Sequence, residues 1–296
     1  QTFVNAPDGS QQYLEGILQQ FTYRPNADNK LQVFAFRMWD TTQEAINENN
    51  YWVDINGAGK LMLGNKSRLD YVFEAVTVQG ETQGATPNAL GINTKQDDRR
   101  AWLVYTDLRY TPFWSESRPD LLSLGFTFGM GSGDNNPTDG KNKNFDALFQ
   151  DETAFHYNFL FSDDIHGYNG RGFDTSRGSG LTNVTVFQPY VVFRPTEKLR
   201  AKVAYSHLLM TVGQAAGTGL YGAAPNLGTP GILAFSPTAV GGPTNDIGKE
   251  IDVLLDFFAS GNTRLFANYG TFLPGAAYGP IADIAVKFET GWEWRW

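Results

Sequence analysis

The chain has 296 residues, no cysteine, 14% aromatic residues and a formal net charge of -8, with a pI near 4.9 and a mean hydropathy of -0.33. The acidic balance argues against nucleic acid as a partner, because no basic field exists to neutralise phosphates; the missing cysteine excludes a disulfide framework and any thiolate metal site. No run approaches the ~18 apolar residues of a membrane helix, the longest apolar stretches being short ones such as Tyr190-Val191-Val192-Phe193.

What organises the chain is period-two alternation, repeated about eleven times. Over 12–25 it is weak and the faces cannot be assigned. Over 51–63, Val53, Ile55, Leu61 and Leu63 oppose Asp54, Asn56 and Lys60. Over 68–76, Leu69, Tyr71, Phe73 and Ala75 alternate with Arg68, Asp70, Val72 and Glu74. Over 121–131, Leu122, Leu124, Phe126 and Phe128 alternate with Ser123, Gly125, Thr127 and Gly129. Over 199–207 and 250–258 the same pattern sets Leu199, Val203, Ile251 and Phe257 against Arg200, Lys202, Asp252 and Asp256. From Ala282 to Trp296, one face reads Ala282, Ile284, Val286, Phe288, Thr290, Trp292, Trp294 and Trp296, and the other Asp283, Ala285, Lys287, Glu289, Gly291, Glu293 and Arg295. A helix would mix these sets around its circumference, whereas a strand separates them.

Connections alternate as well. Short turns at 26–30, 64–67, 195–198 and 260–263, with a longer one at 114–119, intersperse with long polar segments at 41–50, 80–98, 132–182 and 211–248. Loops sorted by length to the two ends of a set of strands are the mark of an outer-membrane barrel, with the long loops outside. The expected fold is therefore all-β: one transmembrane antiparallel β-barrel domain over 1–296. About eleven strands is an odd count, whereas bacterial barrels have an even one. Gln1 is not an initiator residue. The expectation is thus that N-terminal strands of a larger barrel, of about 14–18 strands, are missing.

Two stretches carry a family resemblance. One is Leu124-Gly125-Phe126-Thr127-Phe128-Gly129-Met130-Gly131-Ser132-Gly133-Asp134, followed by Asn144-Phe145-Asp146-Ala147-Leu148-Phe149. The other is Ile247-Gly248-Lys249-Glu250-Ile251-Asp252, leading to Tyr269-Gly270-Thr271-Phe272-Leu273-Pro274-Gly275. In order and spacing these resemble the alginate-export family of outer-membrane porins, in pattern over most of 31–296. The resemblance implies a monomeric barrel whose lumen passes polyanionic polysaccharide or, in looser relatives, small solutes.

Candidate pore-lining residues by face are Arg37, Asp54, Lys60, Asp70, Glu74, Arg99, Asp107, Arg109, Arg200, Lys202, Glu250, Asp252, Asp256, Lys287, Glu289 and Arg295, since fixed charge in a low-dielectric wall sets ion preference. Each of them could equally pair across strands and only hydrate the interior. Trp292, Trp294 and Trp296 fit a terminal aromatic signal for the barrel-assembly machinery, or an aromatic girdle at the membrane interface. Ser132, Gly133 and Asp134 open an Asp/Asn-rich loop whose oxygens give a weak case for Ca²⁺; turn chemistry explains the composition as well. No other cofactor is expected.

An enzyme is not expected. Gly-x-Ser-x-Gly and His-Glu-x-x-His are absent, and His156, His166 and His207 lack any i, i+4 partner. By position His207 would be the best catalytic candidate. The expected function is passive passage of polar or anionic solutes, including polysaccharide, across the bacterial outer membrane. Expected partners are outer-membrane lipid, lipopolysaccharide and the assembly machinery; oligomeric state stays open, with a monomer favoured. Two alternatives stand beside this: a barrel plugged by 132–182 that docks partners, and a secreted carbohydrate-binding β protein.

Overall fold

The computed structural model describes residues 2–5, 11–43, 46–64, 66–83, 96–115, 121–134, 139–145, 159–161, 181–212, 245–278 and 283–294. The strands are β1 (Thr2–Asn5), β2 (Gln11–Asn26), β3 (Asn29–Gln43), β4 (Ile46–Met62), β5 (Arg68–Gln83), β6 (Gln96–Thr111), β7 (Leu122–Gly131), β8 (Lys141–Asn142), β9 (Val184–Phe193), β10 (Leu199–Met210), β11 (Asp246–Ser260), β12 (Thr263–Pro274) and β13 (Ala285–Trp294). All but β8 form one sheet in which each strand lies antiparallel to the next, from β1 at one edge to β13 at the other. The two-residue β8 adds in parallel to the start of β6. Among the described residues no helix is long and apolar enough to cross a membrane. The all-β antiparallel sheet expected from alternation is what this chain adopts, and among the described residues its first and last strands do not pair.

Three expectations change. The described strands that follow one another in the sheet number twelve, because the four-residue β1 precedes the first alternating segment. The segment 41–50 is no loop: β3 continues to Gln43, β4 begins at Ile46, and these two residues pair. Likewise β5 and β6 stay paired out to Gln83 and Gln96. At that level both faces are polar, so the pairing continues where the alternation signal has faded. Finally, β2 acquires faces: Gly16, Leu18, Gln20 and Thr22 pair with Met38, Phe36, Phe34 and Gln32 on one side, leaving Ile17, Phe21 and Tyr23 on the other.

The loop sorting holds except at β3–β4, whose strand ends also lie close together on the long-loop side. Closely spaced strand ends lie at β2–β3, β4–β5, β9–β10 and β11–β12, and the widest gaps lie at β5–β6, β7–β9 and β10–β11. One face of the sheet is exposed and apolar from β2 to β13. It presents Phe21, Val53, Ile55, Trp102, Leu124, Phe126, Val191, Val203, Ile251, Phe257, Leu265, Phe288 and Trp292, the last two 69% and 70% exposed. A soluble protein rarely exposes an apolar patch beyond a few hundred Å², so this continuous band argues against the secreted alternative.

On the opposite face a buried cluster joins Trp52, Val78, Leu103, Val186 and Leu208 to Phe145, Leu160, Phe161 and Leu181 from the β7–β9 connection. That connection thus packs against the sheet's charged face.

Candidate functional site: the charged face

The cross-strand register places Lys60, Asp70, Arg109, Gly125, Tyr190, Ala204, Asp252, Gly270 and Lys287 in one row over adjacent strands from β4 to β13. Charge alternates in sign along the first three members; Asp70 pairs with Arg109, whereas Lys60 turns to Asp28, 3.6 Å away. Asp70 Oδ2 accepts from Arg68 Nη2 at 3.0 Å and from Arg109 Nη2 at 3.3 Å. Asp107, one pleat along β6, accepts from Thr127 Oγ1 at 2.6 Å and from the Tyr190 hydroxyl at 2.8 Å.

Tyr190 reaches Asp107 from two strands away because β7 has glycine where the ring crosses. A Cβ at Gly125 would overlap the Tyr190 ring carbons. The ring's face also carries the Lys202 ammonium, 4.4 Å from its centroid. Lys202 has no carboxylate within salt-bridge distance among the described residues, unlike Arg109 or Arg200. Asp107, Tyr190 and Lys202 thus form one side-chain group spanning β6 to β10.

A second group lies at the short-turn end. Asp256 Oδ1 accepts from Arg264 Nη2 at 2.6 Å, Asp256 Oδ2 lies 3.6 Å from Arg200 Nη1, and Arg264 Nη1 reaches Glu293 Oε2 at 3.2 Å. Asp256→Ala should strand Arg200 and half of Arg264. We expect a stability loss of about 1.5–3 kcal/mol, the range for hydrogen bonds to charged groups. Urea unfolding in lipid vesicles measures it, and Asp256→Asn, which keeps one acceptor, should lose less.

The third group ties in the β7–β9 connection. Glu250 is fully buried. Its Oε1 accepts the Leu160 N–H at 2.7 Å and its Oε2 the Phe161 N–H at 2.8 Å, while Asp252 Oδ2 accepts the Phe159 N–H at 3.3 Å. Three successive amides thus bind two carboxylates. The Phe161 and Phe272 rings meet at 5.3 Å between centroids, and Lys287 Nζ lies 4.3 Å from the Phe159 ring centroid. Gly270 leaves the floor open beneath Phe159.

Asp54, Lys60, Glu74, Arg99, Asp107, Arg109, Arg200, Lys202, Asp252, Asp256, Lys287 and Glu289 all share this face. Arg37 does not. It pairs with Ile17 and Tyr51 on the apolar side, because β3 places Phe34, Phe36 and Met38 on the charged face instead. His207 also points to the apolar side, opposite Phe187 and Lys249.

The Ser-Gly-Asp triplet closes the end of β7. The Ser132 backbone donates to the Trp102 carbonyl at 2.8 Å, and its carbonyl accepts from Phe145 and Asn183. Asp134 is buried, its backbone N–H donating to Asn144 Oδ1 and its Oδ2 accepting from Lys143 N–H. Desolvation alone would raise the Asp139 carboxyl. Hydrogen bonds from the Lys143 ammonium and the Lys141 N–H outweigh it and hold the group below the ordinary carboxylate range. The described loop carboxylates are thus engaged by protein donors, and no group of three metal-ligating side chains occurs among the described residues. Pro274 pairs with Gly248, and Gly275 N–H donates to the Ile247 carbonyl at 2.7 Å, closing the β11–β12 pairing. Asp146, Phe149, Arg295 and Trp296 lie outside the described residues. Trp292 and Trp294 stand on the exposed apolar face of β13.

Arg68, Thr127, Tyr190, Arg264 and Glu293 join these groups without having been singled out from the sequence as pore-lining. Arg264 and Glu293 carried a usable signal, since both continue the alternation of candidates on their own strands.

Comparison with known proteins follows the same lines. Among solved structures the chain is similar to the NanC porin in a rhombohedral crystal form, with 10% identity, TM-score 0.39, 96% of this chain and 97% of that one. It is also similar to OmpT, an outer-membrane protein of Vibrio cholerae folded in vitro, with 8% identity, TM-score 0.30 and 97% of each chain. Among curated proteins none matches. The alginate export profile matches residues 1–291, nearly the whole length, and the chain belongs to the alginate export family.

Proposed function

We propose that the chain is an outer-membrane channel that passes polar, chiefly anionic solutes passively through the space facing its charged surface. The observation that carries this reading is the division of the sheet. One face is a continuous apolar band fit for lipid, and the other carries charge on nearly every strand. Lys202 is the best single candidate for selecting anions, since its ammonium has no carboxylate partner among the described residues. Asp107 and Asp252 act on it from nearby, as do Arg109 and Arg200, but it closes no ion pair that would fix it to one of them.

The test is conductance across a planar bilayer with a salt gradient. Purified protein should give stepwise currents. Lys202→Glu should move the reversal potential toward cation preference by several millivolts or more. An unmoved potential removes Lys202 from the role, and silence across preparations removes the channel reading. A second reading, a barrel closed by the β7–β9 connection, is favoured by the three amides bound to Glu250 and Asp252. It predicts that wild-type protein conducts poorly until those bonds are removed.

A further inference from the structure

The misplaced arginine is the starting point. Arg37 was expected in the lumen and stands on the apolar face. There its guanidinium lies between two rings, 4.0 Å from the Trp39 centroid and 4.6 Å from that of Tyr51. Its Nε donates to Asn49 Oδ1 at 3.3 Å. No carboxylate lies within salt-bridge distance of it among the described residues. A guanidinium so flanked keeps Nη donors for which the described residues supply no anion.

Register gives its depth. Arg37 pairs with Tyr51, Tyr51 with Gln79, and Gln79 with Arg100, so four adjacent strands carry these residues in one row. On β4, apolar outward side chains run from Leu63 up to Val53. Ten residues at ~3.3 Å, tilted ~40°, span roughly 25 Å, the height of a barrel's lipid-facing band. Tyr51 and Arg37 are the next step out, on the long-loop side. Arg100 of the same row is already matched, with Asp98 Oδ2 3.1 Å from its Nη2. Trp39, Asn49, Glu81 and Asp98 form the next row outward. Arg37 is therefore a cation without an ion pair among the described residues at the outer margin of the band; in the next row Glu81 and Asp98 lie two and three strands away, and Glu15, opposite Trp39 on β2, is the nearest carboxylate by register.

We propose that Arg37, held between Trp39 and Tyr51, binds a phosphate on the headgroup of a phosphorylated glycolipid in the outer leaflet. The geometry matches the ligand. A planar fork presents paired N–H donors suited to two phosphate oxygens. The flanking rings suit the level where headgroup meets acyl chain, and the apolar band directly below receives the chains. This rests on the outer-membrane reading with the long loops outward.

The test uses the full chain in detergent, with a bisphosphorylated glucosamine-disaccharide lipid and its dephosphorylated counterpart as probes, read by native mass spectrometry. Wild type should retain the phosphorylated lipid at least about tenfold more tightly than the dephosphorylated one, as loss of a charge-assisted pair implies. Arg37→Ala should bring the two lipids level, while Glu81→Gln should leave the preference in place. A wild-type protein indifferent to the phosphates overturns the proposal, and so does an Arg37→Ala protein that keeps the preference. Millimolar inorganic phosphate that displaces the lipid completely would mark a free-ion site and overturn it as well. Bilayer conductance of the same preparations separates the two readings. Currents without phosphate preference sink only the lipid site, and phosphate preference without currents sinks only the channel.

Discussion

Glu250→Ala should release residues 159–161 from the wall and raise single-channel conductance above that of wild type. The side chain is fully buried and accepts two consecutive backbone N–H groups at 2.7 and 2.8 Å. Removing it leaves two donors unpaired in a poorly solvated place, at roughly 1–3 kcal/mol each. The segment escapes that penalty by leaving the wall. Phe161 then loses its contact with Phe272, and the space it filled becomes open to solvent. Glu250→Gln keeps one acceptor and should show an intermediate conductance. A double variant with Asp252→Ala should exceed either single one, because Asp252 holds the third amide of the same segment. Conductance equal to wild type in the double variant would mean that the segment does not limit flow. Raised conductance accompanied by wild-type unfolding would mean that the bonds were worth little.

Gly125→Val should be the most damaging single change on the charged face. A β-branched side chain there meets the Tyr190 ring, which has no alternative place to lie while its hydroxyl reaches Asp107. The ring must leave, and the Asp107 hydrogen bond and the Lys202 stacking go with it. Overpacking and a lost charge-assisted hydrogen bond together predict about 3–5 kcal/mol, measured by denaturant unfolding of the folded barrel in vesicles. Tyr190→Ala in the same chain should restore part of the loss. The double-mutant cycle should show a coupling of about 1–3 kcal/mol between the two positions. Additive losses would mean that the ring and the glycine are independent.

How much of this was legible in the sequence depends on what covers each strand. The faces of β13 are read correctly over Ala285–Trp294, because water or lumen lies on one side and lipid on the other, so Val286, Phe288, Trp292 and Trp294 separate cleanly from Lys287, Glu289 and Glu293. In β9 the inner positions Val184 and Val186 are buried beside Leu181 and Phe161 of the β7–β9 connection, and Tyr190-Val191-Val192-Phe193 is apolar on both faces, so the alternation fades. Periodicity cannot assign faces when both are dry. Arg37 was misassigned for a related reason. A charged residue is taken to face the lumen, but at the membrane margin two aromatic neighbours make the outward position tenable. The role of Glu250 was hidden for a different reason: a carboxylate that binds backbone amides leaves no mark on the residues it binds.

Those amides also bear on the order in which the molecule assembles. From β1 to β7 and from β9 to β13, each strand pairs with its neighbour in sequence; the β7–β9 and β10–β11 pairings bridge long insertions, and the others are hairpins with shorter connections. Such hairpins close short loops and can form one after another at small entropic cost. The bonds from Leu160 and Phe161 to Glu250 instead join residues 90 and 89 positions apart. They have no partner until β11 has been laid down. Residues 159–161 can therefore dock on the charged face only once β11 is in place, and until then the space that Phe161 fills beside Phe272 stays open.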